Sequence, residues 1–307
     1  MSIVKPAAVI GPILIGTVLG LTLPATAQEL DGTLKKIKES GTITLGHRES
    51  SIPFSYYDDN QHVIGFAMDI CAKVVEAIKT ELKLDKLEVK LNPVIPSTRI
   101  PLIANGTVDL ECGSTTNNPD RQKQVAFTNT HFLTATRFVS KTANKLVKID
   151  DLKGKTVVST AGSSNIVQLN DVNTARKLGI NILAAKDHGD AFLMVETDRA
   201  VAFVMDDILL ASFVAGSKTP DAYVISDETF SLPEPYGIVL RRNDAAFKAV
   251  VDRATALLYQ SPEIVTIYDR WFMSPIPPKG LNLHLPLDGA LKNAFAHPTD
   301  NGDPTAY

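Results

Sequence analysis

Residues 113–118 read Gly-Ser-Thr-Thr-Asn-Asn, followed by Pro119 and then by Arg121. This set could hold a carboxylate. Ser114 and Thr116 offer hydroxyls, a helix opened by Pro119 offers amides with no partner of their own, and Arg121 can give two parallel charge-assisted bonds. Gly113 would let backbone approach the ligand closely. Standing alone, the same string would be an ordinary helix cap with Arg121 in a surface ion pair. Asp206 is a second candidate, because it follows the apolar run Val201–Met205, where a lone carboxylate is costly to bury unless a cation meets it. A third lies at Thr160, which ends a β-branched run before Ala161-Gly162-Ser163-Ser164 opens a helix, so that hydroxyls and amides point the same way. Arg48 beside Glu49, Arg99 and His188 say less by themselves. Each reads as a surface pair, a solvated helix residue or a loop histidine.

These residues need elements to position them. Thr42–Leu45 is strand-like, and from Ala67 the apolar residues Ile70, Cys71, Val74, Val75, Ile78 and Leu82 keep helical spacing. An alternating strand over Leu87–Leu91, a helix over Arg99–Ala104 stopped by Asn105-Gly106, and a strand over Val108–Cys112 follow. The second half repeats the plan, with strands at Thr156–Thr160, Asn181–Leu183 and Val201–Met205 separated by helices. Such alternation predicts an α/β fold with parallel sheets and with ligands at the carboxyl ends of the strands. The stretches Thr128–Thr142 and Asp227–Pro235 are irregular or extended and suit crossings between two lobes. A strand over Tyr236–Leu240 and two helices over Ala245–Tyr259 and Pro262–Trp271 come next. Beyond Ser274, the prolines 275, 277 and 278 with Gly280 predict an extended tail.

The chain has 307 residues, 44% hydrophobic and 21% charged, enough for real cores, and its net charge of −3 with no long basic run argues against nucleic acid as a partner. Lys5, an apolar stretch from Ala7 to Leu23 and the Ala25-Thr26-Ala27 site predict an export signal cleaved after Ala27. Cys71 and Cys112 sit where disulfides persist, but a bridge requires the helix of the first to pack directly on the strand of the second. Their spacing fits no zinc site, and no metal or other cofactor is expected. No Gly-x-Ser-x-Gly elbow, His-Glu-x-x-His helix or phosphate loop occurs, so no catalytic set stands out and an enzyme is not expected.

The 113–121 cluster, placed after Asn105-Gly106-Thr107-Val108-Asp109, resembles the solute-binding proteins of bacterial polar amino-acid ABC importers. Residues 46–51 (Gly-His-Arg-Glu-Ser-Ser), 53–57 (Pro-Phe-Ser-Tyr-Tyr), 99–102 (Arg-Ile-Pro-Leu), 185–190 (Ala-Lys-Asp-His-Gly-Asp) and 205–207 (Met-Asp-Asp) resemble the glutamate/aspartate-binding subgroup. The resemblance covers almost the whole chain after the leader. It implies a periplasmic-binding-protein-like fold of type II, with two doubly wound lobes joined by a two-strand hinge. The implied lobes are 28–134 with 226–274, and an inserted 135–225, leaving 275–307 as the extended tail. It implies a periplasmic monomer that captures L-glutamate or L-aspartate by cleft closure and delivers it to an ABC transporter permease. In that frame Arg121 and Thr116 hold the α-carboxylate, and Ser114 and Asp206 take the α-ammonium. Arg48, Arg99 and His188 read the distal carboxylate, and Thr160 and Ser163 contact the ligand from the second lobe. Where the subgroup has a serine three residues before the second arginine, this chain has Pro96, with Ser97 beside it. The alternative is an enzyme on the same fold, resembling cyclohexadienyl dehydratases, which also acts on a dicarboxylic substrate.

Overall fold

In the computed structural model of the chain, residues 1–5, 7 and 30–307 are described. The expected leader, apart from residues 1–5 and 7, and its cleavage after Ala27 lie outside the described residues. No helix among them is long and apolar enough to cross a membrane. Residues 31–307 form one unit and carry everything below.

Two five-stranded sheets organise it. The first runs Glu88–Pro93, Thr42–His47, Leu110–Cys112, Val239–Arg241, Val125–Phe127, and the second Asn181–Ala185, Thr156–Thr160, Ala202–Asp206, Thr136–Lys141, Tyr223–Ile225. The sequence predicts parallel sheets, and three strands of each sheet are parallel. The edge strands Val125–Phe127 and Tyr223–Ile225 point the same way as those three, and one strand in each sheet is reversed: Val239–Arg241 and Thr136–Lys141 run antiparallel to both of their neighbours. The reason is topological. These two strands follow directly from the pair that links the sheets, Glu234–Tyr236 against Phe132–Thr134, with no crossover helix to turn the chain around. The same link breaks the expected Tyr236–Leu240 strand at Gly237, where a Cβ would come within 3.1 Å of the Phe127 ring.

Helices cover the sheets where periodicity places them. Phe66–Glu81 buries Phe66, Ala67, Ile70, Cys71, Val74, Val75 and Ile78, one continuous face. Its packing on the Leu110–Cys112 strand brings Cys71 and Cys112 to a Cα separation of 6.2 Å, and the two are disulfide-bonded. The bridge closes a sequence separation of 41 residues. Replacing both cysteines by serine is therefore expected to lower the unfolding free energy by about 2–4 kcal/mol, mainly through the freed unfolded chain. Guanidinium unfolding of the variant against the oxidised protein checks this, and equal midpoints would show that the bridge adds no stability. Glu88–Pro93 forms the sheet edge with all but Asn92 exposed, so the alternation in Leu87–Leu91 does not mark a buried face.

The extended tail needs correction. Beyond Ser274 the chain does run irregularly as far as Asp288, but Gly289–Ala296 is a helix capped by the Asp288 side chain. Leu291, Ala294 and Phe295 are buried at i, i+3 and i+4, with the Phe295 ring 5.1 Å from that of Tyr259. The apolar triplet outweighs the upstream prolines, which restrict only the residues near them.

Candidate functional site

The candidate residues collect at strand ends of both sheets. Arg48 follows Thr42–His47 and is fully buried. Its Nε donates to the Val94 carbonyl at 3.1 Å and its Nη2 meets Asp187 at 2.5 Å, whereas Nη1 has no partner. Arg99 opens its helix, 3% exposed, with Nη1 3.5 Å from the Ser114 carbonyl and Nε unpartnered. Arg121 lies in the Pro119–Gln122 helix, whose cap, Asn118, accepts from the Arg121 amide at 2.9 Å. Its guanidinium donates to the Thr116 carbonyl at 2.8 Å. Among the described residues, Asp187 pairs with Arg48, and no carboxylate lies within 4.0 Å of the Arg99 or Arg121 guanidinium.

Three buried arginines with a single direct ion pair among them, Arg48 to Asp187, are electrostatically unusual. Burial, reinforced by the charge of Arg121, pulls the Arg99 pKa down to about 9, which still leaves it a cation at neutral pH. Burial also lowers that of Arg121, against the opposing pull of Glu234, Asp206 and Glu111. Glu111 is itself buried, with one oxygen accepting from Thr115 at 2.6 Å and the other unpartnered. Gly113 matters here for a reason other than ligand approach. A Cβ on it would fall 2.4 Å from that free Glu111 oxygen and 3.0 Å from the Arg48 stem, so its missing side chain makes room for the arginine and the acid.

From the second sheet, Thr160 Oγ1 and His188 Nδ1 are 2.8 Å apart, and burial with the Arg48 charge holds the His188 pKa well below its ordinary value. The imidazole is therefore neutral at pH 7 and keeps one N–H to donate. Ser163 caps the Ser164–Ala175 helix, accepting from Ile166 and donating to the Thr160 carbonyl, so its hydroxyl is engaged in its own lobe. Asp206 is buried and accepts from Asn165 at 2.7 Å and from the Tyr236 hydroxyl. Burial raises its pKa, and those bonds lower it again in part. The Ser114 hydroxyl is buried and unpartnered.

The two sets meet. Arg121 Nη2 donates to the Gly162 carbonyl at 3.2 Å, Thr116 Oγ1 and Ser164 Oγ are 3.1 Å apart, and Tyr236 reaches Asp206 from the linking strand. Gly162 has φ +77° and comes so close to the Ser97 backbone that a Cβ would lie 2.6 Å from its Cα. A side chain there would hold the lobes apart. Pro96 is buried but Ser97 is exposed, so Ser97 does not restore the serine that Pro96 replaces. Sequence reasoning missed Asp187, Asn165, Tyr236 and Glu111 as parts of the site. Only Asp187 carried a signal, inside the 185–190 string. An open groove of about 480 Å³ lined by Phe132, Arg137, Asp207, Tyr268 and Leu285 contains none of the candidate residues.

Known proteins resemble this chain in sequence and in fold. The model of the bacterial extracellular solute-binding proteins, family 3, matches residues 43–274. The L-glutamate/L-aspartate-binding protein of Pseudomonas aeruginosa is 53% identical over 91% of this chain and 93% of its own length. The glutamate/aspartate import solute-binding protein of Escherichia coli K12 is 44% identical over 92% and 96%. Among solved structures, a mutant of ArgBP from T. maritima superposes with a TM-score of 0.69 at 25% identity, covering 78% of this chain and 99% of that one. The ancestral amino acid-binding protein AncCDT-1, a precursor of cyclohexadienyl dehydratase, gives a TM-score of 0.65 at 22% identity over 78% and 99%, a likeness of fold alone. With the two sheets, the two-strand link and a cleft lined by strand-end polar groups, the chain belongs to the bacterial extracellular solute-binding proteins, family 3.

Proposed function

We propose that the protein captures L-glutamate or L-aspartate outside the cytoplasmic membrane and hands it to an ABC importer permease. The observation that carries this reading is the group of three buried guanidiniums, Arg48, Arg99 and Arg121, two of which keep an unpartnered nitrogen. Burying such charges without anions costs several kcal/mol, and a ligand with two carboxylates offsets that cost. In this reading Arg121 and Thr116 hold the α-carboxylate, while Ser114 and Asp206 take the α-ammonium. Arg48, Arg99 and His188 bind the distal carboxylate. Thr160 supports this by orienting His188, and Ser163 contributes through the amides of the helix start it caps. The relatives at 53% and 44% identity are named as glutamate and aspartate binders, which supports the same ligand class. The dehydratase alternative keeps a likeness of fold and no observation in its favour.

Thermal unfolding with a panel of amino acids tests it. L-glutamate or L-aspartate at a hundred times its dissociation constant is expected to add about 2.7 kcal/mol of stability, with glutamine, asparagine and lysine adding far less. Equal shifts with glutamine would sink the acidic-ligand reading.

A further inference from the structure

Asp187 occupies the N-cap position of the His188–Glu196 helix, yet its side chain makes no cap bond. An aspartate there ordinarily accepts from the amide of the second or third helical residue. Instead both oxygens cross the cleft: Oδ1 meets Arg48 Nη2 at 2.5 Å and Oδ2 accepts from Ser50 Oγ at 2.5 Å. The amide that the aspartate forgoes does not go unpaired. Gly189 N donates to the same Ser50 Oγ at 3.3 Å. The helix of one lobe is thus capped by a serine of the other, and the capping acid is turned outward to an arginine of the other.

We propose that Asp187 is an interlobe latch and a positioning residue for ligand recognition, exchanging the cap of its own helix for Arg48 and Ser50 when the lobes close. The inference rests on the ligand reading above in one respect, that Arg48 faces the distal carboxylate. Parting the lobes strips Ser50 from Gly189 N, and the freed carboxylate then has its ordinary cap site to return to. In each state the Asp187 carboxylate and the Gly189 amide have a partner, which makes the exchange reversible. In the closed state Asp187 fixes Arg48 through Nη2 and leaves Nη1, buried and unpartnered, as the donor available to a ligand. Recognition of the side chain and closure of the lobes become one event. A ligand can leave only after the latch opens, so the latch acts on release and not on encounter.

Asp187→Asn separates latch from cap, since asparagine caps a helix as well as aspartate but lacks the charge held by Arg48. Ser50→Ala removes the partner from the other side. Stopped-flow displacement of L-glutamate is expected to show release accelerated roughly tenfold in Asp187→Asn and several-fold in Ser50→Ala, with association unchanged. The melting temperature of ligand-free Asp187→Asn should match the wild type, a result that a role in helix capping alone would give together with unaltered release. Wild-type binding with unaltered release in both variants overturns the latch. If the wild type binds neither glutamate nor aspartate, the ligand reading falls instead, and small-angle scattering of the ligand-free proteins decides the latch. A more open average in the two variants then supports it, and identical profiles overturn it.

Discussion

Calorimetric titration of an Arg99→Met variant with L-glutamate is expected to show a loss of about 2–5 kcal/mol in binding free energy, the usual result of stripping one partner from a desolvated, hydrogen-bonded charge pair. Methionine keeps much of the length and apolar bulk, and the variant should fold. Without ligand it is expected to be at least as stable as the wild type, since it removes a buried cation whose pKa burial already depresses to about 9. L-glutamine should lose far less, because its amide never supplied the second charge. Arg121→Met gives the contrast. Its guanidinium sits against the Thr116 and Gly162 carbonyls, where an α-carboxylate would complete its bonds, so every α-amino acid should weaken together. A parallel loss for glutamate and glutamine in Arg99→Met would show that Arg99 does not read the side chain.

The contrast between these arginines also marks how far the sequence could be read. The 113–121 cluster is legible as a carboxylate site from its residue types, because hydroxyls, a helix start and an arginine fall within one short loop. Arg48, Arg99 and His188 are not. Their meaning comes from burial, and burial of an arginine depends on strands that lie far apart in the chain. Only the resemblance could assign them. Asp187 falls inside the 185–190 string with no role of its own, and its N-cap position gives no sign of the bonds to Arg48 and Ser50. Tyr236 looked like the start of a strand, whereas it closes the link between the sheets and reaches Asp206. The same division holds for the fold. Helices with a continuous apolar face, such as Phe66–Glu81, follow from periodicity, which is local. Strand direction in the two mixed sheets depends on where the chain crosses between lobes, which periodicity does not encode.

In the proposed reading, Asp206 is the residue on which the amino-acid nature of the ligand turns. It ends the Ala202–Asp206 strand, buried, with Asn165 and Tyr236 each donating to one oxygen. Those neutral donors lower the cost of the charge without cancelling it, and burial still raises its pKa. A ligand ammonium would supply what is missing. Asp206→Asn keeps the shape and an acceptor oxygen but removes the charge, and it is expected to cost L-glutamate about 2–5 kcal/mol, a weakening of roughly thirty-fold to several thousand-fold. Glutarate provides the control, since it carries both carboxylates and no amine. Its affinity should be weak for the wild type and should hold or improve in the variant, because an anion near its own charges is gone. Isothermal titration of both ligands against both proteins reads the difference directly. If glutarate loses as much as glutamate, then Asp206 acts by holding Tyr236 and Asn165 in place, and the counter-ion of the ammonium lies elsewhere in the cleft.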